Sequence, residues 1–130
     1  MSLTLDGPLV AASVKNAYYG DTSTFYLWGN LRDGFVYGGS GQRNEWGIDI
    51  QPPQGKQLKV GTYVTDPSPT ATRAGMQLHG LMSCVNKTGK LDIKRMSVSP
   101  QGDILKLYAT FEQRCAGLPG SLFGTIHYGL

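Results

Sequence analysis

The chain has 130 residues, of which 40% are hydrophobic and 16% are charged, and its formal net charge at pH 7 is +3. This length suits one domain with a single core, and the mild charge lacks the clustered basic character of a nucleic-acid-binding domain. No apolar run approaches the ~20 residues of a membrane-spanning helix. We therefore expect residues 1–130 to form one domain that neither binds nucleic acid nor inserts into a membrane.

In the first part of the chain, short alternating segments lie between clusters of Gly, Pro, Asn and Asp, which predicts strands. Residues 23–30 (STFYLWGN) and 34–39 (GFVYGG) flank an Arg-Asp-Gly turn signal and predict a hairpin. Residues 45–53 (EWGIDIQPP) alternate apolar with polar side chains, so this segment predicts a strand with one buried face.

The middle of the chain is more interrupted. Residues 57–66 predict a strand, and Gly61 within it predicts a bulge or a close approach of another backbone. Residues 67–75 are rich in Ser, Thr and Pro and predict a loop, after which residues 76–84 return to apolar material.

The last third predicts a long hairpin, in which residues 89–99 and 103–115 flank the tight turn PQGD. In the second strand of this hairpin, alternation assigns one set of side chains to the core, and the set is Leu105, Leu107, Ala109, Phe111, Gln113 and Cys115. The intervening side chains then face solvent.

The first strand of this hairpin does not alternate throughout. Leu91 and Ile93 share a face, whereas Met96 and Val98 have the opposite parity. A β-bulge near residues 94–96 would return all four side chains to the core. With a closing strand in SLFGTIHYGL, we count eight or nine strands and no helix, and we predict a single antiparallel β-sandwich of Greek-key or jelly-roll connectivity.

Cys84 and Cys115 are the two cysteines, and they lie just before and just after the long hairpin. Neighbouring chains at the open end of a hairpin are close enough for a disulfide, so a structural bridge is predicted. Two reduced, buried thiols are the alternative. Neither cysteine lies in a Cys-x-x-Cys or helix-start context that would lower its pKa, and the short ligand spacings of zinc sites are absent.

Catalytic motifs are also absent from the sequence. There is no Gly-x-Ser-x-Gly elbow, no phosphate-binding or dinucleotide-binding glycine spacing, and no Asp-x-Asp-x-Asp run for calcium. We therefore predict a protein that is not an enzyme, with no catalytic residues, no metal and no cofactor.

Several segments resemble a domain found in uncharacterised bacterial extracellular proteins. The similar features are CVNKTG, the hairpin, FEQRC and LFGTIHY, and they extend upstream to WGIDIQPPQGKQLKVGTY, so they span residues 45–128. That domain typically carries His where this chain has Arg114, which removes a histidine beside the cysteine. The resemblance implies a β-sandwich, a Cys84–Cys115 bridge and an extracellular or envelope setting, and it implies no activity.

Aromatic side chains are the main candidates for a binding surface, and the predicted ligand- or partner-binding residues are Tyr26, Trp28, Tyr37 and Trp46. If alternation places Leu27 in the core, Tyr26 and Trp28 point outward together. Outward aromatics flanked by amides and carboxylates suit either a protein interface or a sugar, whose apolar face stacks on the rings. The interpretation that we favour is that these rings fill the core between two sheets, with a protein interface or a sugar site as the alternatives.

Basic residues gather on or near the last hairpin, and they are Lys87, Lys90, Lys94, Arg95 and Lys106. A solvated outer face, with lysines protecting an edge strand from further pairing, is the favoured explanation. Weak attraction to anionic surfaces is the alternative.

Together these observations predict a non-catalytic binding, adhesion or assembly module of a bacterial extracellular or envelope protein. Its partner would be a protein, a second copy of itself or a glycan. A lectin-like domain and a self-assembling structural subunit are the alternatives. The first residues contain no secretory signal peptide, so either the domain derives from a longer secreted chain or it follows another route or stays inside the cell.

Overall fold

The computed structural model describes residues 2–6, 18–19, 24–40, 45–79, 86–115 and 121–129. These ranges contain ten strands and no helix. In chain order the strands are β1 (Ser2–Asp6), β2 (Tyr18–Tyr19), β3 (Thr24–Asn30), β4 (Gly34–Ser40), β5 (Glu45–Gln51), β6 (Gly61–Asp66), β7 (Ala74–His79), β8 (Asn86–Val98), β9 (Ile104–Cys115) and β10 (Ser121–Tyr128). No helix in this described part is long and apolar enough to cross a membrane.

The strands form one continuous sheet in the order β2-β1-β10-β9-β8-β6-β7-β5-β4-β3. The sheet curls until it is nearly closed, like a barrel. At the seam, Asn30 at the end of β3 bridges Asp103 just before β9, and the Leu31 N–H donates to the Gly102 carbonyl over 3.0 Å. The predicted all-β class is therefore confirmed.

The sheet differs from the predicted sandwich because its two halves are joined. β6 and β7 pair in parallel through only Thr65 with Ala74 and Asp66 with Gly75, whereas the other neighbouring strands pair antiparallel. This short link connects β3, β4, β5 and β7 to the remaining strands. Two separate packed sheets are therefore not seen among the described residues.

The concave side of the curled sheet holds the core. Its buried hydrophobic residues are Leu27, Phe35, Tyr37, Trp46, Ile48, Ile50, Leu58, Ala74, Met76, Leu78, Leu91, Ile93, Ile104, Leu107, Ala109, Phe111, Leu122 and Ile126. The buried face predicted for β5 is confirmed. Leu58 belongs to a loop, residues 52–60, rather than to the strand predicted from residue 57, and its N–H donates to the Leu31 carbonyl over 2.8 Å at one end of the barrel.

The predicted bulge in β8 is confirmed, but it returns only part of the strand to the core. Ile93 pairs with Ala109 and Arg95 with Tyr108, which leaves Lys94 as the extra residue. Beyond it, Met96 packs against the core, whereas Val98 is 39% exposed. The expectation that Val98 is buried was therefore wrong.

A second irregularity lies nearer the turn of the same hairpin. Ser97 pairs with Lys106 and Val98 with Ile104, so Leu105 is left unpaired between them. This bulge moves the inward position to Ile104, which is 6% exposed, while Leu105 is 53% exposed. The prediction that Leu105 lies in the core was wrong for this reason.

The disulfide prediction concerns residues that the structure describes only in part. Cys84 lies outside the described residues. The backbone of Cys115 ends β9 and pairs with Asn86, the first residue of β8.

Candidate binding surface

The outer side of β3, β4, β5 and β7 presents two neighbouring rows of residues across the strands. The register places Trp28, Val36, Asp49 and Gln77 in one row, and Tyr26, Gly38, Gly47 and His79 in the other. We call these eight residues the aromatic face.

Alternation along β3 places both of its aromatic residues on this face. Leu27 is 9% exposed and belongs to the core, so its neighbours Tyr26 and Trp28 point outward. Trp28 is 73% exposed and Tyr26 38%. Their ring centroids are 5.4 Å apart and the ring planes are tilted by 41°. The two rings thus form one continuous apolar patch in contact with solvent.

Gly38 positions the Tyr26 ring. A Cβ atom on Gly38 would overlap Cζ and Oη of Tyr26, and it would lie 2.9 Å from the Trp46 carbonyl oxygen. The ring therefore lies directly over the β4 backbone. The absence of a side chain at this position allows the ring to pack flat on the sheet rather than to project from it.

Two polar side chains of the aromatic face, Asp49 and Gln77, offer hydrogen-bond acceptors. Asp49 is half-buried, and its carboxylate has no hydrogen-bond or ion-pair partner among the described residues. The Gln77 amide donates through Nε2 to the Pro67 carbonyl over 2.8 Å, which leaves its Oε1 able to accept. A ligand that brings several hydrogen-bond donors would therefore match this face.

Tyr37 and Trp46, the other two predicted binding residues, lie in the core instead. Tyr37 is 0% exposed and Trp46 2%, and their rings meet edge-on with centroids 5.5 Å apart. Burial raises the pKa of the Tyr37 phenol well above its ordinary value because a phenolate would lose its hydration, and the nearby Tyr128 hydroxyl adds to this. The four residues are thus divided between the surface and the core.

The basic residues of the last hairpin are all exposed, as predicted. Lys94 Nζ lies 3.2 Å from Asp92 Oδ2 and forms an exposed ion pair. β8 lies between β6 and β9, and β9 between β8 and β10. The idea that these lysines protect an edge strand was therefore wrong, because the hairpin lies within the sheet.

Outside the aromatic face, the described residues form no cluster of metal-binding side chains, and the hollows at the surface are shallow. No group of three or more His, Cys, Asp or Glu residues that could hold a metal ion is found in the described part of the chain. Three shallow hollows of about 300, 530 and 320 Å³ lie at the end of the barrel near Gln57. Each is open to solvent and lined mainly by turn residues.

Sequence reasoning did not select Gln77 and His79 as part of this face. The alternation in β5 shows that Asp49 lies on the polar side, but it does not show which strand lies next to β5. β7 occupies that position, with Asp49 opposite Gln77, although β6 comes between them in the chain. No local signal in the sequence indicates this pairing.

No protein-family model, curated protein sequence or solved structure matches this chain.

Proposed function

We propose that this domain is a non-catalytic binding module, and that the aromatic face is its binding surface. The observation that carries the proposal is the exposure of Trp28, which is 73% accessible while in contact with Tyr26. A buried aromatic side chain removes about 150–250 Å² of surface from water, and each 100 Å² of apolar surface buried contributes about 2.5 kcal/mol. A ligand that covers these rings would recover this stabilisation.

Trp and Tyr are the residues that most often carry binding energy at recognition surfaces. Gly47 carries no side chain, which keeps the face flat beside the rings. This supports a module for adhesion or assembly, in which the rings anchor the ligand and hydrogen bonds to Asp49 and Gln77 orient it.

Self-association is a second candidate, supported by the position of β3. This strand is last in the order of the sheet, and in the described part of the chain it pairs with β4 and, at Asn30 alone, with Asp103. A second copy adding a strand there would also cover Trp28. A structural subunit of a filament or shell would assemble in this way.

The Cys84–Cys115 disulfide and an extracellular or envelope location belong to the same proposal. Asn86, two residues after Cys84 in the sequence, pairs directly with Cys115, and this register supports the proposed bridge. A disulfide fits an oxidising compartment. The resemblance to bacterial extracellular domains supports this location.

The first experiment is size-exclusion chromatography with light scattering on the native, non-reduced protein, with free thiols counted in the same sample. A monomer without free thiols supports the oxidised binding module. A large regular assembly that Trp28→Ala dissolves supports the structural subunit. Two free thiols per chain contradict the disulfide and the extracellular location.

A further inference from the structure

The chemistry of the aromatic face restricts what it binds. The described exposed large hydrophobic residues are Tyr26, Trp28, Val60, Val64, Val98, Leu105 and Phe123. Only Tyr26 and Trp28 of this set lie on β3, β4, β5 or β7. Their neighbours in the two rows are glycines and polar groups, apart from the half-buried Val36. A protein interface of standard size buries about 800 Å² on each partner around an apolar centre, which is larger than this two-ring patch.

The distance between the rings and the acceptors restricts the size of the ligand. Asp49 is two strands away from Trp28, with Val36 between them, and this corresponds to about 10 Å between backbones. A cation recognised by an aromatic ring lies within about 6 Å of the ring centre. A ligand that contacts both the Trp28 ring and the Asp49 carboxylate must therefore extend across the strands.

A carbohydrate meets both conditions. Its rings have an apolar C–H face that stacks on aromatic side chains, and its hydroxyl groups donate to carboxylate and amide oxygens. Because the rings and the acceptors are separated across two strands, a single sugar ring does not reach both. A chain of linked sugars lying across the strands does.

We propose that the ligand of the aromatic face is a carbohydrate of at least two linked sugar rings, with one ring stacked on Trp28 and Tyr26 and hydroxyl groups of the next donating to Asp49 and Gln77. This inference rests on the proposed function. The Gln77 amide, held by the Pro67 carbonyl at 2.8 Å, presents an acceptor whose position is set before the ligand arrives.

The test uses the full chain and a panel of neutral gluco-oligosaccharides and chito-oligosaccharides, from monosaccharide to hexasaccharide, measured by isothermal titration calorimetry after a glycan-array screen. We expect disaccharides or longer sugars to bind more tightly than monosaccharides. Trp28→Ala should weaken binding by about tenfold or more. Asp49→Asn should also weaken it, because the amide keeps one acceptor oxygen and removes the charge.

The matched control is Phe123→Ala, which removes an aromatic ring that is 49% exposed on β10, away from the aromatic face. It should bind sugars as the unchanged protein does. The fold of each variant is checked by circular dichroism, and Asp49→Asn should keep native stability because the carboxylate has no described partner.

The outcomes separate the two proposals. If no sugar on the array or in the panel binds, the carbohydrate inference is overturned; if Asp49→Asn binds sugars unchanged, the contact assigned to the second sugar ring is overturned. If a basic peptide or a protein binds instead, and Trp28→Ala abolishes that binding, the aromatic face remains the binding surface and only the ligand class is wrong. If Trp28→Ala retains full binding of a sugar, both proposals fail.

Discussion

The Tyr37 hydroxyl donates a hydrogen bond to the carbonyl oxygen of His127 over 3.1 Å. The same ring meets Tyr128 edge-on, with centroids 5.9 Å apart. These contacts connect β4 to β10 across the core, between the two halves of the sheet that are otherwise linked by the short β6–β7 pairing. Tyr37 therefore stabilises the curled shape itself as well as the local packing.

Replacing Tyr37 with Phe tests this connection through the pH dependence of stability. The ordinary Tyr37 pKa of 10.0 is raised in the folded protein, so above pH 10 the unfolded chain loses this proton first. The free energy of unfolding should then fall as pH rises from about 10, by up to about 1.4 kcal/mol per pH unit for this group. Urea unfolding between about pH 8 and pH 12 measures it.

At neutral pH the free energy of unfolding of Tyr37→Phe should be about 0.5–1.5 kcal/mol lower, because the variant lacks this hydrogen bond. It should also have a shallower alkaline decline than the unchanged protein. If the free energy of unfolding falls equally with pH in the two proteins, the Tyr37 pKa is not raised, and this would contradict the burial of its hydroxyl.

The packing of Tyr26 on Gly38 predicts opposite effects for two alanine substitutions in the same row. Gly38→Ala should destabilise the fold by about 1–3 kcal/mol, because the added methyl meets both the Tyr26 ring and the Trp46 carbonyl. At Gly47 the nearest atom to an added Cβ is Val36 Cγ1 at 4.0 Å. Gly47→Ala should therefore be neutral or stabilising by up to about 1 kcal/mol. Thermal unfolding of the two variants measures these changes. Similar losses of stability in both would contradict the position of the Tyr26 ring over Gly38.

The two tryptophans should differ in fluorescence quenching. Trp28 is 73% exposed and Trp46 2%, so iodide in solution should quench only the Trp28 component. Trp28→Phe should then leave emission that iodide barely affects. Strong iodide quenching in Trp28→Phe would show that Trp46 is reached by solvent, which contradicts its place in the core. In the native protein, a bound ligand should protect Trp28 from quenching.

Two buried polar side chains next to Gly89 predict changes of stability in opposite directions. Thr65 and Gln113 each pair with Gly89 from either side of β8 and are 0% exposed. Thr65 Oγ1 has no hydrogen-bond partner in the described structure, so Thr65→Val should stabilise by about 1 kcal/mol or more.

Gln113 differs because its Nε2 donates over 3.0 Å to the carbonyls of both Lys87 and Arg114. Gln113→Met should destabilise by about 1 kcal/mol, because two part-buried carbonyls lose their donor while the unpaired Oε1 is also removed. Chemical denaturation of both variants at neutral pH tests the contrast. A loss of stability in Thr65→Val would mean that its hydroxyl does have a partner, such as a buried water.

Local patterns predicted much of the strand structure correctly. The alternation around Trp46 and Ile48 identified the buried side of β5, and the opposite parities of Ile93 and Met96 identified a bulge at the right place. These predictions succeeded because side-chain direction in a strand follows from the backbone with a period of two residues. The second bulge was missed because Leu105 continues an unbroken apolar alternation, and nothing in its own segment shows that the partner strand is one residue shorter there.

Alternation and turn residues were sufficient to predict the all-β class, the two hairpins and the outward direction of Tyr26 and Trp28 relative to Leu27. The burial of Tyr37 could be seen only in the tertiary structure, because it depends on β4 facing β10 across the curled sheet. The tertiary structure also decided that Asp49 and Gln77 lie beside each other, since the β5–β7 pairing passes over β6 in the chain. Backbone alternation is a local property, whereas the choice of neighbouring strand depends on the free energy of packing the whole sheet.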